Sequence, residues 1–353
     1  MKTLSSALDW WAKSQPETSA LVCGGDRITF ADYDAWASRI AVDLHARGVR
    51  PQDRVACCAV NSLEYCALAM GVIRAGAILA PISARFTRAE AAEIIADIAP
   101  RLIFADPEHL AVVEDNGVEA LPLAAIASLR QGGRVRLALD LDPQWPVVII
   151  STSGSTAKPK GVAFTHNSMV DYATEFLLQE PTISKGARVL AIAPLNTSAG
   201  FVQLMHYPTL GCTLYLEPAF EPKTGLELIA RERINSFGGV PMLFERIAAL
   251  PEFETADLSS LRLVTVGGAR VTRQLLDAWM NKGIVIRQIF GQTECGGFGT
   301  IMPEALAVDA PEKCGWGGPF TEIVTVRPDG ARCEPGEVGE ILIRGPGRMQ
   351  GYW

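Results

Sequence analysis

The stretch Ile149 to Asn167, IISTSGSTAKPKGVAFTHN, restricts the fold of this chain more than any other. Pro146 to Ile150 are five apolar residues that predict a short buried strand, and Val162-Ala163-Phe164 predict a second. Between them run Ser151, Thr152, Ser153, Gly154, Ser155, Thr156, Ala157, Lys158, Pro159, Lys160 and Gly161. Small hydroxylated residues and glycine let main-chain N–H groups converge on an anion, and Lys158 and Lys160 bring the charge that phosphate oxygens require. The stretch is a phosphate-holding candidate, although a serine-rich surface loop without a ligand has the same composition. Spacing excludes a Walker-type loop, because Pro159 stands five positions after Gly154 and strand-like residues follow Gly161. The next helix is expected to start only near Asn167 or Ser168, which gives the order strand, loop, strand, helix.

At 353 residues the chain exceeds one simple core and should form two or three packed units. Its net charge of -7 argues against nucleic acid or an anionic membrane surface as partner, so any phosphate affinity has to be local. The eight cysteines contain no CxxC pair and the four histidines have no metal-ligand spacing, which reads as reduced, mostly buried thiols. Asp9 and two tryptophans interrupt the amino-terminal segment where a signal peptide would be apolar, pointing to the cytoplasm. Tyr65 to Ile82 is the most membrane-like stretch, but Arg74 breaks it and it falls short of the roughly 20 residues of a spanning helix. It predicts a helix followed by a buried strand.

Leu4, Leu8, Trp11 and Ala12 mark a first helix ending before Pro16, and Ala20–Cys23 with Arg27–Phe30 predict a hairpin around Gly24-Gly25-Asp26. Arg54 to Val60 reads as a strand, Asn61 or Ser62 as the cap of a helix running to Arg74, and Ala77 to Ile82 as the next strand. That β, α, β order predicts a parallel sheet, and alternating strands and helices continue from Arg188 to Ile289. Asp106 to Asp142 is polar and irregular in places and is assigned no chemistry. Beyond Pro311 short alternating runs separated by Asp329-Gly330 and Pro335-Gly336 predict an antiparallel β unit.

A second constellation, Ile289-Phe290-Gly291-Gln292-Thr293-Glu294-Cys295-Gly296-Gly297, follows an apolar strand directly. In α/β sheets ligands bind at the carboxyl ends of strands. Phe290 there can stack on a base, Thr293 can hydrogen-bond a phosphate oxygen, and Glu294 can hold Mg²⁺, which prefers oxygen ligands. Taken alone it also fits an ordinary strand with a glycine-rich turn, and Val264 to Ala269 taken alone is only a strand and a turn.

Together these motifs resemble the adenylate-forming superfamily, which includes acyl- and aryl-CoA synthetases. STSGSTAKPKG is similar to its phosphate loop, with Ala157 where the family usually has glycine. Phe290 to Glu294 resembles its aromatic-Gly-x-Thr-Glu motif, and Gly267-Gly268-Ala269 its Gly-Gly-Ala strand end; the likeness covers essentially the whole chain. The resemblance implies an α/β fold of two stacked αβα subdomains with mainly parallel sheets over residues 1–308, and part of a small antiparallel β-barrel-like subdomain over 309–353. It implies that Thr152, Ser153, Gly154, Ser155, Thr156, Lys158 and Lys160 hold ATP phosphates. Gly267, Gly268, Ala269, Phe290 and Gly291 would then border adenine, with Thr293 and Glu294 as the catalytic pair and Glu294 on Mg²⁺. Asn196, Gly239 and Gly296 fall on the acid pocket, although Asn196 also fits a helix cap. Amino-acid-activating relatives carry Asp where this chain has Asn196-Thr197, which argues against an α-amino acid as substrate.

Family members continue past a segment like Gly351-Tyr352-Trp353 to a ribose-binding Asp and a small domain with a catalytic Lys, so this chain matches the amino-terminal domain only. His166 and Cys295 are given no catalytic role. The expected function is ATP-dependent activation of a carboxylic acid to its acyl-adenylate, then thioester formation with CoA, an aryl or medium aliphatic acid being favoured. A carrier-protein thiol as acceptor, or a catalytically incomplete nucleotide-binding module, are the alternatives. Nucleic acid and a membrane span are not expected, and a homodimer is left open.

Overall fold

The computed structural model describes residues 2–152 and 160–353. Its backbone is organised by two sheets that share no strand. The eight-stranded sheet runs in space Thr300–Ile301, Ile286–Phe290, Leu263–Val266, Ser236–Gly239, Arg188–Ala191, Thr213–Leu216, Ser19–Cys23, Asp26–Thr29. All neighbours in it pair parallel except the two outermost strands, which return antiparallel. The seven-stranded sheet runs Gly351–Tyr352, Lys160–Thr165, Pro146–Thr152, Ile78–Pro81, Arg54–Cys58, Leu102–Ala105, Ala120–Pro122. Lys160–Thr165 is antiparallel to both of its neighbours and the remaining pairs are parallel. The expected αβα units with mainly parallel sheets are therefore present.

Period-two alternation along each strand sorts side chains between layers. In Arg54–Cys58, Val55 and Cys57 enter a core shared by both sheets while Ala56 and Cys58 enter an outer one. Tyr215 likewise points away from Leu214 and Leu216. Helices fill the space between the sheets, chief among them Phe30–Ala46 and Leu63–Arg74. In Leu63–Arg74 every residue except Glu64 is buried, and a Cβ on Gly71 would lie 2.6 Å from the Cβ of Ile40 in Phe30–Ala46. The outer face of the eight-stranded sheet carries Pro222–Arg231, Pro241–Ala248 and Arg273–Met280, where Phe237 stacks on Phe244 at 4.9 Å and Trp279 meets both rings. Arg88–Ile98 covers the outer face of the other sheet.

Arg74, at the end of the most apolar helix, is buried and paired with Asp9 and Asp34, each at 2.7 Å. Among the described residues no helix is long and apolar enough to cross a membrane. The segment 106–142 is irregular from residue 130 onward and carries short elements before it. Its scattered apolar residues Val113, Leu123 and Ile126 are buried, and around them form the helix Leu110–Val113, the strand Ala120–Pro122 and the 3₁₀ turn Leu123–Leu129. Beyond residue 311, Glu322–Val326 and Glu340–Arg344 form an antiparallel ribbon, and no closed barrel is formed among the described residues. All eight cysteines are free, six of them buried.

His166 opens the helix His166–Gln179, capped by Thr165, and its Nδ1 accepts the Leu4 N–H at 3.3 Å. Burial pushes its imidazole down to about 4, and that of His206, edge-on to Tyr172 at 4.5 Å, down to about 3. Both are far below the usual value near 6.5, so between pH 6.5 and those values the unfolded chain binds protons that the folded chain excludes. Stability is therefore complete above about pH 6.5 and lost progressively as pH falls. Urea midpoints measured from pH 8 to pH 4 should be flat and then decline, and His206→Phe should make that decline shallower.

Candidate functional site

The parallel strands of the eight-stranded sheet end at one edge, and most of the residues singled out in the sequence lie there. Gly239 pairs with Val266, and Val266 with Gln288, so the turns after these strands are adjacent. The Gly267 N–H donates to the Gly239 carbonyl at 3.1 Å, locking two of these ends together. Gly268 has φ +79°, a left-handed conformation that exposes its backbone together with Ala269. At Gly291 a Cβ would lie 2.1 Å from the Gly297 carbonyl oxygen, so only glycine lets this turn close. Phe290 remains 38% exposed at the strand end, an aromatic residue left partly open rather than buried.

Thr293 and Glu294 sit in a short 3₁₀ turn, Thr293–Cys295, immediately after that strand. The Thr293 hydroxyl donates to Ser198 Oγ at 3.1 Å. Ser198 begins the helix Ser198–Thr209, whose cap is Thr197, accepting the Gly200 N–H at 3.2 Å. Asn196 is thus not the cap; its side-chain amide reaches towards the Ile82 carbonyl at 3.5 Å. Cys295 is buried, its thiol is raised by that burial, and its Sγ donates to the Gln292 carbonyl at 3.2 Å within the same turn. Gly296 has φ +83°, and a Cβ there would press on the Tyr172 ring.

The second contribution comes from the hairpin Pro146–Thr152 and Lys160–Thr165. Thr152 pairs with Lys160 and its hydroxyl donates to the Lys160 carbonyl at 3.3 Å. Lys160 is exposed, its ammonium 4.9 Å from the centroid of the Tyr352 ring. Ser153, Gly154, Ser155, Thr156 and Lys158 lie outside the described residues. The two halves meet at Tyr352, whose hydroxyl donates to Glu294 Oε1 at 2.9 Å.

This edge suits a nucleotide: an exposed aromatic face, open glycine backbone, a held hydroxyl and an exposed lysine converge on it. Among the described residues no group of three His, Cys, Asp or Glu side chains could hold a metal ion by itself. Glu294 offers one carboxylate, which fits Mg²⁺ arriving with phosphate oxygens, since that ion commonly takes one or two carboxylates plus substrate phosphates.

Known proteins give the same picture at larger scale. A family model described as AMP-binding enzyme matches residues 8–353. A feruloyl-CoA synthase from an Amycolatopsis species is 33% identical over 351 residues, covering 97% of this chain and 70% of that protein. Indoleacetate–CoA ligase from Aromatoleum aromaticum is 30% identical over 366 residues, covering 99% and 71%. The inhibitor-bound crystal structure of the N-terminal domain of FACL13 from Mycobacterium tuberculosis superposes with TM-score 0.94 at 27% identity, over 100% of this chain and 91% of that one.

Sequence reasoning missed three residues that set this geometry: Ser198, Tyr352 and Asn61. Asn61 is 4% exposed; its Oδ1 accepts the Leu195 N–H at 2.8 Å, and its Nδ2 donates to the carbonyls of Ala193 at 3.3 Å and Glu217 at 3.2 Å. The neighbouring Ser62 is the helix cap, accepting the Tyr65 N–H at 3.0 Å. Asn61→Ala would leave buried polar groups of the opposite sheet unpaired and should cost about 3 kcal/mol. Ser62→Ala should cost only about 1 kcal/mol. Urea unfolding of the two variants checks that order.

Proposed function

Because the chain belongs to the AMP-binding enzyme family, we propose that it activates a small carboxylic acid with ATP and transfers the acyl group to CoA. A carboxylate oxygen of the acid attacks the α-phosphorus of ATP, the bond to the β-phosphate oxygen breaks, and pyrophosphate leaves. The CoA thiolate then attacks the acyl carbon and AMP leaves. Neither step asks the protein for a covalent intermediate; it asks for alignment and for compensation of charge.

In this proposal the Thr293 hydroxyl, which donates to Ser198 in the absence of ligand, turns its one proton to an α-phosphate oxygen as charge builds there and accepts from Ser198 instead. Phe290 stacks on adenine, and the backbone of Gly267, Gly268, Ala269 and Gly291 borders it. Thr152, Ser153, Gly154, Ser155, Thr156, Lys158 and Lys160 hold the β and γ phosphates. Glu294 would hold Mg²⁺, which when bound neutralises polyphosphate charge. Asn196, Gly239 and Gly296 border the acid, and the neutral Asn196 offers no carboxylate to an ammonium group. An aryl acid is the favoured substrate, in keeping with relatives named for ferulate and indoleacetate. The reading includes a cytoplasmic location and leaves a homodimer open.

The observation that carries the proposal is the fixed Thr293-Glu294 turn at the end of a parallel strand, beside the exposed ring of Phe290. Acid-dependent ATP–pyrophosphate exchange tests it. Exchange should respond to arylpropenoic or arylacetic acids more than to amino acids, and Glu294→Gln should lower it by about 100-fold. Binding of ATP without exchange under any acid would instead make the chain a nucleotide-binding module.

A further inference from the structure

Tyr352 has no role in the reading above, yet it touches both halves of the site. Its backbone belongs to the seven-stranded sheet. Tyr352 pairs antiparallel with Val162 and Gly351 with Ala163, and the flanking Gln350 and Trp353 N–H groups donate to Ala163 and Gly161 carbonyls at 2.8 and 2.7 Å. The Trp353 ring is further pinned beneath the Arg54 guanidinium, 5.7 Å from its centroid. The Tyr352 side chain reaches the other half, donating to Glu294 Oε1 at 2.9 Å, while Met349 N–H donates to the Glu294 carbonyl at 2.9 Å. Glu294 Oε2 makes no hydrogen bond among the described residues. The same tyrosine ring carries the Lys160 ammonium at 4.9 Å from its centroid.

We propose that Tyr352 is a positioning residue for Glu294: the phenol holds one carboxylate oxygen and so directs the other at the metal–polyphosphate, while the ring seats Lys160 at a fixed offset from it. A glutamate left to itself samples several rotamers, and a donor fixed in a sheet removes that freedom before the ligand arrives. Anion and cation are thereby set by one side chain, although they stand on different sheets. This inference rests on the reading of Glu294 as the metal-holding carboxylate.

Tyr352→Phe tests it, because the ring and the strand pairing survive and only the hydroxyl is lost. Calorimetric titration of the whole chain with ATP, in Mg²⁺ and in excess EDTA, supplies a readout independent of turnover. The expected result is MgATP affinity weakened roughly 10-fold, with affinity for metal-free ATP and the melting temperature unchanged. The Mg²⁺ concentration for half-maximal exchange should rise by the same factor, with the rate at saturating Mg²⁺ largely retained. Glu294→Gln is the control: if it does not lower MgATP affinity selectively, the reading of Glu294 itself fails. If Glu294→Gln is selective and Tyr352→Phe is not, whether by changing nothing or by weakening both forms of ATP alike, the positioning role is overturned alone.

Discussion

Two sheets without a common strand have to be held so that their carboxyl ends face the same space, and at that end the core they share is tied by the carboxamide of Asn61. It stands just beyond the strand Arg54–Cys58 of one sheet, and its three hydrogen bonds go to backbone following Arg188–Ala191 and Thr213–Leu216 of the other. An amide suits the position because it offers an acceptor and two donors without charge. A carboxylate could not donate to the two carbonyls, and an aliphatic side chain would leave all three groups unpaired in the interior. Tyr352 forms a second tie at the other side of the site, more exposed and made through a carboxylate.

The chemistry is divided along the same line. The eight-stranded sheet delivers the aromatic ring, the open glycine turns, the hydroxyl and the carboxylate; the hairpin of the seven-stranded sheet delivers lysine. Preorganisation is unequal between them. Thr293 is anchored through Ser198 to a helix of twelve residues, so its hydroxyl has a defined direction before any ligand binds. The oxygen is held in place, and only its proton has to turn from Ser198 to reach developing charge on a ligand.

The fold was largely legible because its signals are local. Continuous apolar runs such as Val55 to Cys58 and the apolar stretch before Arg74 mark buried strand and helix whatever lies around them, and the βαβ order implies parallel pairing. The Thr293-Glu294 turn was legible as a motif at the end of a strand, and the structure puts it at the shared edge. What escaped depends on distant partners. Asn61 reads as a helix cap, since an asparagine before an apolar run usually is one, but its partners lie 132 to 156 residues away. Asn196 reads the same way and lost that role to Thr197 next to it. Tyr352 meets Glu294 across 58 residues of sequence, with no spacing that announces the pair. The elements within 106–142 are each too short to show a period, and only packing reveals them.

The strand Gly351–Tyr352 covers the free side of Lys160–Thr165, although nearly two hundred residues separate them in the chain, about half its length. On a ribosome, the hairpin that ends in Lys160–Thr165 can form long before its third strand has been made. For that interval it presents an unpaired row of N–H and C=O groups beside four apolar or small residues, Gly161 to Phe164, a template for pairing with a neighbouring nascent chain. The order of synthesis therefore leaves the sheet edge nearest the lysine open until the strand Gly351–Tyr352 has been made.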